Sequence, residues 1–164
     1  MLSTIATAAR RVAPVVLIAA GIALAGPARA GSCPSDQVRP DGSGQKMNPA
    51  PGKDVTDQVL ASLDLADEPN APKDRLLRLR RLEIKPGGIV AWHSHANRPA
   101  IIYMIKGEIV EYSSTCAVPI VHRAGDVAVE THLTAHWWKN LGKTTVVLLS
   151  ADLFPKSMTD HHMM

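Results

Sequence analysis

The sequence has no internal repeat, no low-complexity tract and no run of a dozen residues with helical periodicity. It also lacks an apolar stretch of the roughly 20 residues that a membrane-spanning helix needs. With 46% hydrophobic and 20% charged residues over 164 positions, it is neither a disordered nor a collagen-like chain, and it is too short for a multidomain enzyme. Net charge is missing too. Three of the 18 basic residues, Arg10, Arg11 and Arg29, fall in the first 30 positions, which hold no Asp or Glu, so 18 − 3 = 15 basic residues face 15 acidic ones over the rest. That balance excludes the electrostatic footprint of a nucleic-acid binder, despite a sequence pI near 9.0.

What the first 30 residues do contain is an address. Arg10 and Arg11 precede an uncharged, mostly apolar stretch from Val12 to Ala28, and Ala28-Arg29-Ala30 puts small residues where a signal peptidase reads. Residues 1–30 are therefore expected to be a secretory signal cleaved after Ala30, leaving 164 − 30 = 134 residues outside the cell or in the periplasm with no stable membrane span. Residues 31–54 follow as an extended arm, because four Pro (34, 40, 49, 51) and four Gly (31, 42, 44, 52) deny it helix and ladder hydrogen bonds. A single domain is expected over residues 55–154. The flexible tail over 155–164 ends in His161, His162, Met163 and Met164, soft donors of a kind that copper prefers. In an oxidising compartment Cys33 of the arm is expected to pair with Cys116 of the domain; two free thiols or a lipid on Cys33 are the alternatives.

Strand signals fill the domain. Val59, Ala61, Leu63 and Leu65 alternate with a period of two that favours a strand, although Val55, Val59 and Leu63 also fit helical spacing, and Leu77, Leu79, Leu82 and Ile84 alternate with a phase change at Arg80-Arg81 that reads as a β-bulge. Pro86-Gly87-Gly88 reads as a turn. Short strand segments follow over 89–95, 100–105, 108–112, 118–123, 127–130, 135–140 and 144–154, separated by glycine turns at Gly107, Gly125 and Gly142. Such spacing predicts an all-β sandwich or barrel. Arg75, Arg78, Arg80 and Arg81 form the densest charge cluster, read as the solvated outer face of a strand, with a pocket for an anionic ligand as the other use.

The histidines carry the chemistry. His93 and His95 stand at i and i+2 on one strand, so both imidazoles project from one face and can reach one metal ion, and His136 lies on a later strand. Gly87, His93, His95 and Gly107 fit the pattern G-x5-H-x-H-x3,4-E-x6-G; Gly125, His136 and Asn140 fit G-x5-P-x-G-x2-H-x3-N. On these residues the chain resembles the cupin superfamily over about 55–154. The resemblance implies a single jelly-roll barrel and a divalent transition metal (Fe, Ni, Cu, Mn or Zn) on His93, His95 and His136. It departs from the pattern at Thr131 and Leu133, where the family has Pro and Gly, and at Ala100, where the family has its glutamate.

That last departure bears on reactivity, since three neutral ligands leave a dication at +2 and a stronger Lewis acid than a carboxylate-ligated one. Three-histidine sites occur in cupin thiol dioxygenases and in some ring-cleaving or diketone-cleaving relatives. The resemblance thus implies a metal-dependent oxygenase acting on a small chelating molecule, or alternatively a non-catalytic metal or ligand-binding module, and it allows for a homodimer. Glu111 and Glu130 are the nearest candidates to stand in for the missing glutamate. By alternation Trp138 and Asn140 share the face of His136, while Trp92 and Trp137 face away; Ile102 and Met104 share the parity of Ala100, and Arg98 just before it is a candidate to hold a substrate carboxylate or enolate. His122 and His132 lack ligand spacing and are expected to be exposed or hydrogen-bonded.

Overall fold

The computed structural model describes residues 31–158, so the expected signal over 1–30 and the tail beyond Met158 lie outside the described residues. Eight strands form one sheet: β1 (Lys53–Asp64), β2 (Arg75–Ser94), β3 (Ala100–Lys106), β4 (Glu108–Ser113), β5 (Ile120–Arg123), β6 (Val127–Glu130), β7 (Ala135–Lys139) and β8 (Val146–Pro155). Their order is β5-β4-β7-β2-β8-β3-β6, with β1 added to β2, every pairing is antiparallel, and the sheet curls into a nearly closed jelly-roll barrel. β2 is the hub. Its first half pairs with β1 on one side and β8 on the other, while its second half pairs with β7. One long strand thereby carries the arginine cluster and His93, and His95 follows its last residue.

The Pro86-Gly87-Gly88 stretch bends β2 without ending it. β1 passes from Val55 opposite Ile84 to Lys53 opposite Ile89, so Lys85–Gly88 form an excursion in β2 with Gly87 at φ 76°. Gly87 N–H and Asn140 N–H donate to the carbonyls of Asn140 and Gly88 at 3.0 Å each, which keeps the bend paired to the end of β7. Between β3 and β4, Gly107 turns the chain at φ 87°, and a Cβ there would meet Val146 Cγ2 at 3.0 Å.

The expected bulge at Arg80-Arg81 is not in β2. The β2–β8 register runs unbroken from Arg75 to Ile84, and the irregularity sits in β1 between Val59 and Ala61. β2 therefore keeps a single phase in which Arg78, Arg80, Leu82 and Ile84 face inward. Arg78 and Arg80 are 3% and 4% exposed, whereas Leu77 and Leu79 are 43% and 37% exposed. This corrects the reading of both arginines as solvated. Inside, Leu82, Ile84, Ile102, Met104, Ile109, Val146 and Leu148 pack with Trp138 into the apolar core.

The arm is tied down. Arg39, Gly44 and Gln45 donate backbone hydrogen bonds to Thr115, Ser114 and Ser113, and Cys33 is disulfide-bonded to Cys116 across a Cα separation of 5.8 Å. On the outer face of β3 and β6, Ile101, Tyr103, Val127 and Val129 are exposed and adjacent in register. Among the described residues no helix is long and apolar enough to cross a membrane.

Candidate metal centre

His93 and His136 are direct cross-strand partners on β2 and β7, and His95 follows the end of β2, where its N–H donates to the Thr134 carbonyl at 2.8 Å. The three Nε2 atoms stand 3.1 Å apart in every pair. Each ring is held from behind: His93 Nδ1 donates to the Ala91 carbonyl at 2.9 Å, His95 Nδ1 to the Arg98 carbonyl at 2.8 Å and His136 Nδ1 to Glu111 Oε1 at 2.7 Å. A carbonyl oxygen carries no proton, so the proton of His93 and of His95 is on Nδ1, and the carboxylate of Glu111 fixes His136 likewise. Trp138 Nε1 also comes within 3.0 Å of His136 Nδ1, but the shorter charge-assisted bond to Glu111 holds the proton, and Trp138 meets the ring edge-on.

Neutral rings in this tautomer aim three bare lone pairs at one point, an arrangement that repels itself unless a cation stands among them. A triangle with edges of 3.1 Å has its centre about 1.8 Å from each corner, slightly shorter than the usual metal–nitrogen distance of about 2.0–2.1 Å. The donor set therefore fits a metal ion, and the cluster is one that can hold it. Burial holds the His93 pKa well below its ordinary value, and burial together with His136 brings His95 down to about 3, so both stay unprotonated and available as ligands. Burial also acts on His136, but Glu130 and Glu111 outweigh it and raise its affinity for positive charge.

Glu111 is the carboxylate that orients the centre. It accepts from His136 through Oε1 and from His122 Nε2 through Oε2 at 2.7 Å, and these two bonds overcome the effect of burial and bring it down to about 2. His122 is buried and stacks on Trp138 with ring centroids 4.5 Å apart, while His132 is exposed. Glu130 pairs in register with Ala100, the slot of the family glutamate, but its Oε2 lies 3.6 Å from His136 Nδ1, on the side away from the converging Nε2 atoms. Both carboxylates line a separate cavity of about 260 Å³ under the arm, with Cys33, Ser113 and Thr134. They support His136 from behind.

The space in front of the histidines is a small, partly open cavity of about 30 Å³. Its wall is Leu82, Val90, Ile102, Trp138 and Leu148, with Arg80 and Ser150 as the polar members besides the histidines. Of the residues expected in the pocket, Ile102 and Trp138 are there. Met104 is core, and Ala100 is buried between Glu130 and Asp152 in register. Asn140 clamps the turn after β7, donating to the carbonyls of Ile84 at 2.9 Å and Thr144 at 2.8 Å. Arg98 stays behind His95, where its Nη1 donates to Asp152 Oδ2 at 3.3 Å; burial, with repulsion from Arg80, brings its pKa down to about 10.

The sequence favoured a solvated face for Arg80 and left an anion pocket as the other use, and the structure puts Arg80 in the pocket wall. The signal was its parity with Leu82 and Ile84, which forces it inward once no bulge intervenes. Asp152 Oδ1 and Oδ2 accept from Arg78 Nε at 3.0 Å and Nη2 at 2.8 Å, and Asp57 accepts from Arg80 Nη1, so the arginine cluster is neutralised in part from β8 and β1.

Comparison with curated proteins returns no match. Among solved structures, a predicted oxalate decarboxylase from Thermotoga maritima aligns with a TM-score of 0.51 at 23% identity, over 75% of this chain and 98% of that one. The Cnp3 cupin domain of Schizosaccharomyces pombe aligns with a TM-score of 0.50 at 14% identity, over 65% and 69%. An oxalate oxidase in complex with the substrate analogue glycolate aligns at 0.48 with 21% identity over 67% of this chain, which spans 55% of that longer one. At these identities the likeness is one of fold. The cupin domain family model matches residues 80–152, a span that runs from the buried Arg80 to its ion-pair neighbour Asp152 and takes in all three converging histidines, and this region of the chain is a cupin domain.

Proposed function

We propose that this cupin binds one divalent transition metal (Fe, Ni, Cu, Mn or Zn) through His93, His95 and His136 and acts as a metal-dependent, oxygenase-like enzyme on a small chelating organic molecule. The observation that carries the proposal is the convergence of three Nε2 atoms at 3.1 Å with every Nδ1 proton already committed. A redox-active dication held there supplies a Lewis acid for a chelating oxygen and a route for electrons to O2.

The protein's own contribution is placement. Glu111 holds the proton on His136 Nδ1, the carbonyls of Ala91 and Arg98 do the same for His93 and His95, and Ile102, Val90 and Trp138 exclude water. The cavity of about 30 Å³ favours a ligand of few atoms. Ala100 favours a second reading, a non-catalytic binding module, because no carboxylate stands at the family's fourth ligand position. An oxygen electrode separates the two. The enzyme consumes O2 with a chelating substrate when loaded with Fe, Ni, Cu or Mn and falls silent with Zn; ligand binding that Zn supports equally well, with no O2 uptake under any loading, leaves the binding module.

Export belongs to the same proposal. The disulfide between Cys33 and Cys116 supports an oxidising compartment, and intact mass of the secreted protein reads whether the chain begins at Gly31. The exposed Ile101, Tyr103, Val127 and Val129 support pairing of two copies, which light scattering measures.

A further inference from the structure

β2 is built inside out where it meets the cavity, with Arg78 and Arg80 facing in and Leu77 and Leu79 facing out. Burying guanidinium groups while exposing leucines costs stability, and the unbroken β2–β8 register shows that the phase is set by ten consecutive pairs. Arg78 has a structural occupation: a fork onto Asp152 and a stack over Phe154 at 3.7 Å. Arg80 differs. It lines the cavity in front of the histidines, its Nη1 donates to Asp57, and its Nη2 reaches Ser150 Oγ only at 3.4 Å. Its Nε lies 3.4 Å from Asp152 Oδ2 with no acceptor in line, so this N–H is buried and unsatisfied.

We infer that Arg80, with Ser150, is the anion-recognition end of the pocket, and that the ligand is a small dianion: one end chelates at the histidine centre and a second carboxylate, or like anion, takes the free donor capacity of Arg80. The inference deepens the proposed function and rests on a metal being held by the three histidines. No other part of the wall can bind charge, since Leu82, Val90, Ile102, Trp138 and Leu148 are apolar or ring surface. A buried guanidinium with an unused N–H binds a carboxylate far better than a neutral amide of the same shape. The Arg80–Ser150 end therefore sets specificity.

The test uses malonate and malonamate, which differ at one end only by charge, titrated into Co(II)-loaded protein and followed by the visible spectrum of the ion. Metal content is measured first, so a chain that takes up no cobalt at the three histidines shows that the metal reading has failed and the inference with it. With cobalt bound, the wild type should prefer malonate by at least about 30-fold. Arg80→Gln should cut the preference below about 3-fold with metal content unchanged, and Arg80→Lys should retain most of it. Ser150→Ala, which leaves the pair with Asp57 in place, should weaken malonate by about 3- to 10-fold and malonamate less. A wild type that holds cobalt and binds both probes equally, or an Arg80→Gln protein that keeps the full preference, overturns the inference.

Discussion

Glu111 Oε1 and His136 Nδ1 are 2.7 Å apart, and that bond decides which nitrogen of His136 faces the pocket. It joins β4 to β7 at two buried residues, and the other oxygen of the same carboxylate holds His122. Glu111 therefore acts on the centre without reaching it.

From this pairing, Glu111→Gln should lower metal affinity by about 10- to 100-fold while leaving the fold intact, because an amide can also present its N–H to Nδ1 and release the wrong tautomer. Competition with a chromophoric chelator measures it. Unchanged affinity would mean that the backbone around His136, and not Glu111, sets the ring.

The metal-free protein should show a distinctive pH dependence at Glu130. Burial is the largest influence on this group; His136 opposes it and Glu111 reinforces it, and the pKa is pushed up to about 7 from an ordinary value of 4.5. A raised carboxyl pKa contributes stability that is complete below the unfolded value and is lost as pH rises through the folded one, here between about 4.5 and 7. Glu130→Gln removes that loss. Its melting temperature should exceed the wild type's by a few degrees at pH 8 and match it near pH 4, both after chelator treatment. A difference that does not change with pH would contradict the assignment.

The disulfide closes an 83-residue span and pins the arm across the cavity behind His136. Reduction should cost at most about 4.5 kcal/mol in the chain-entropy account. Denaturant melts with and without reductant give the value, and a loss under about 1 kcal/mol would mean that the arm's backbone hydrogen bonds alone hold it.

Ala100 pairs in register with Glu130 on one side and Asp152 on the other. Ala100→Glu thus places a third carboxylate between two others, and the metal-free variant should lose roughly 2–4 kcal/mol. If the new group reaches the ion, metal should restore much of that loss and weaken binding of anionic chelators. Thermal melts at fixed metal excess read the first effect, and chelator titration reads the second.

The barrel and the three histidines were legible in the sequence because their signals are local. Alternation marks each strand, His93 and His95 sit two residues apart, and glycine positions bracket them. The interior arginines were not legible, because what makes their burial tolerable lies far along the chain. Asp152 is 74 residues from Arg78, and Asp57 reaches Arg80 only once β1 pairs with β2. Their charge also imitated a solvated face, and the leucines between them imitated a core face, which produced a bulge where the strand is regular. The roles of Glu111 and Asn140 were hidden for the same reason. Partners 25 and 56 residues away decide that one orients a histidine and the other clamps a turn.

The central claim is that His93, His95 and His136 together hold one metal ion, and elemental analysis of the protein purified without chelator tests it most directly. The account predicts close to one transition-metal ion per chain, falling to near zero in His93→Ala and in His136→Ala while both variants keep the all-β circular dichroism of the parent. Stoichiometric metal that survives the loss of all three histidines, or a wild-type chain that stays metal-free when Fe, Ni, Cu, Mn and Zn are each supplied in excess, would contradict it.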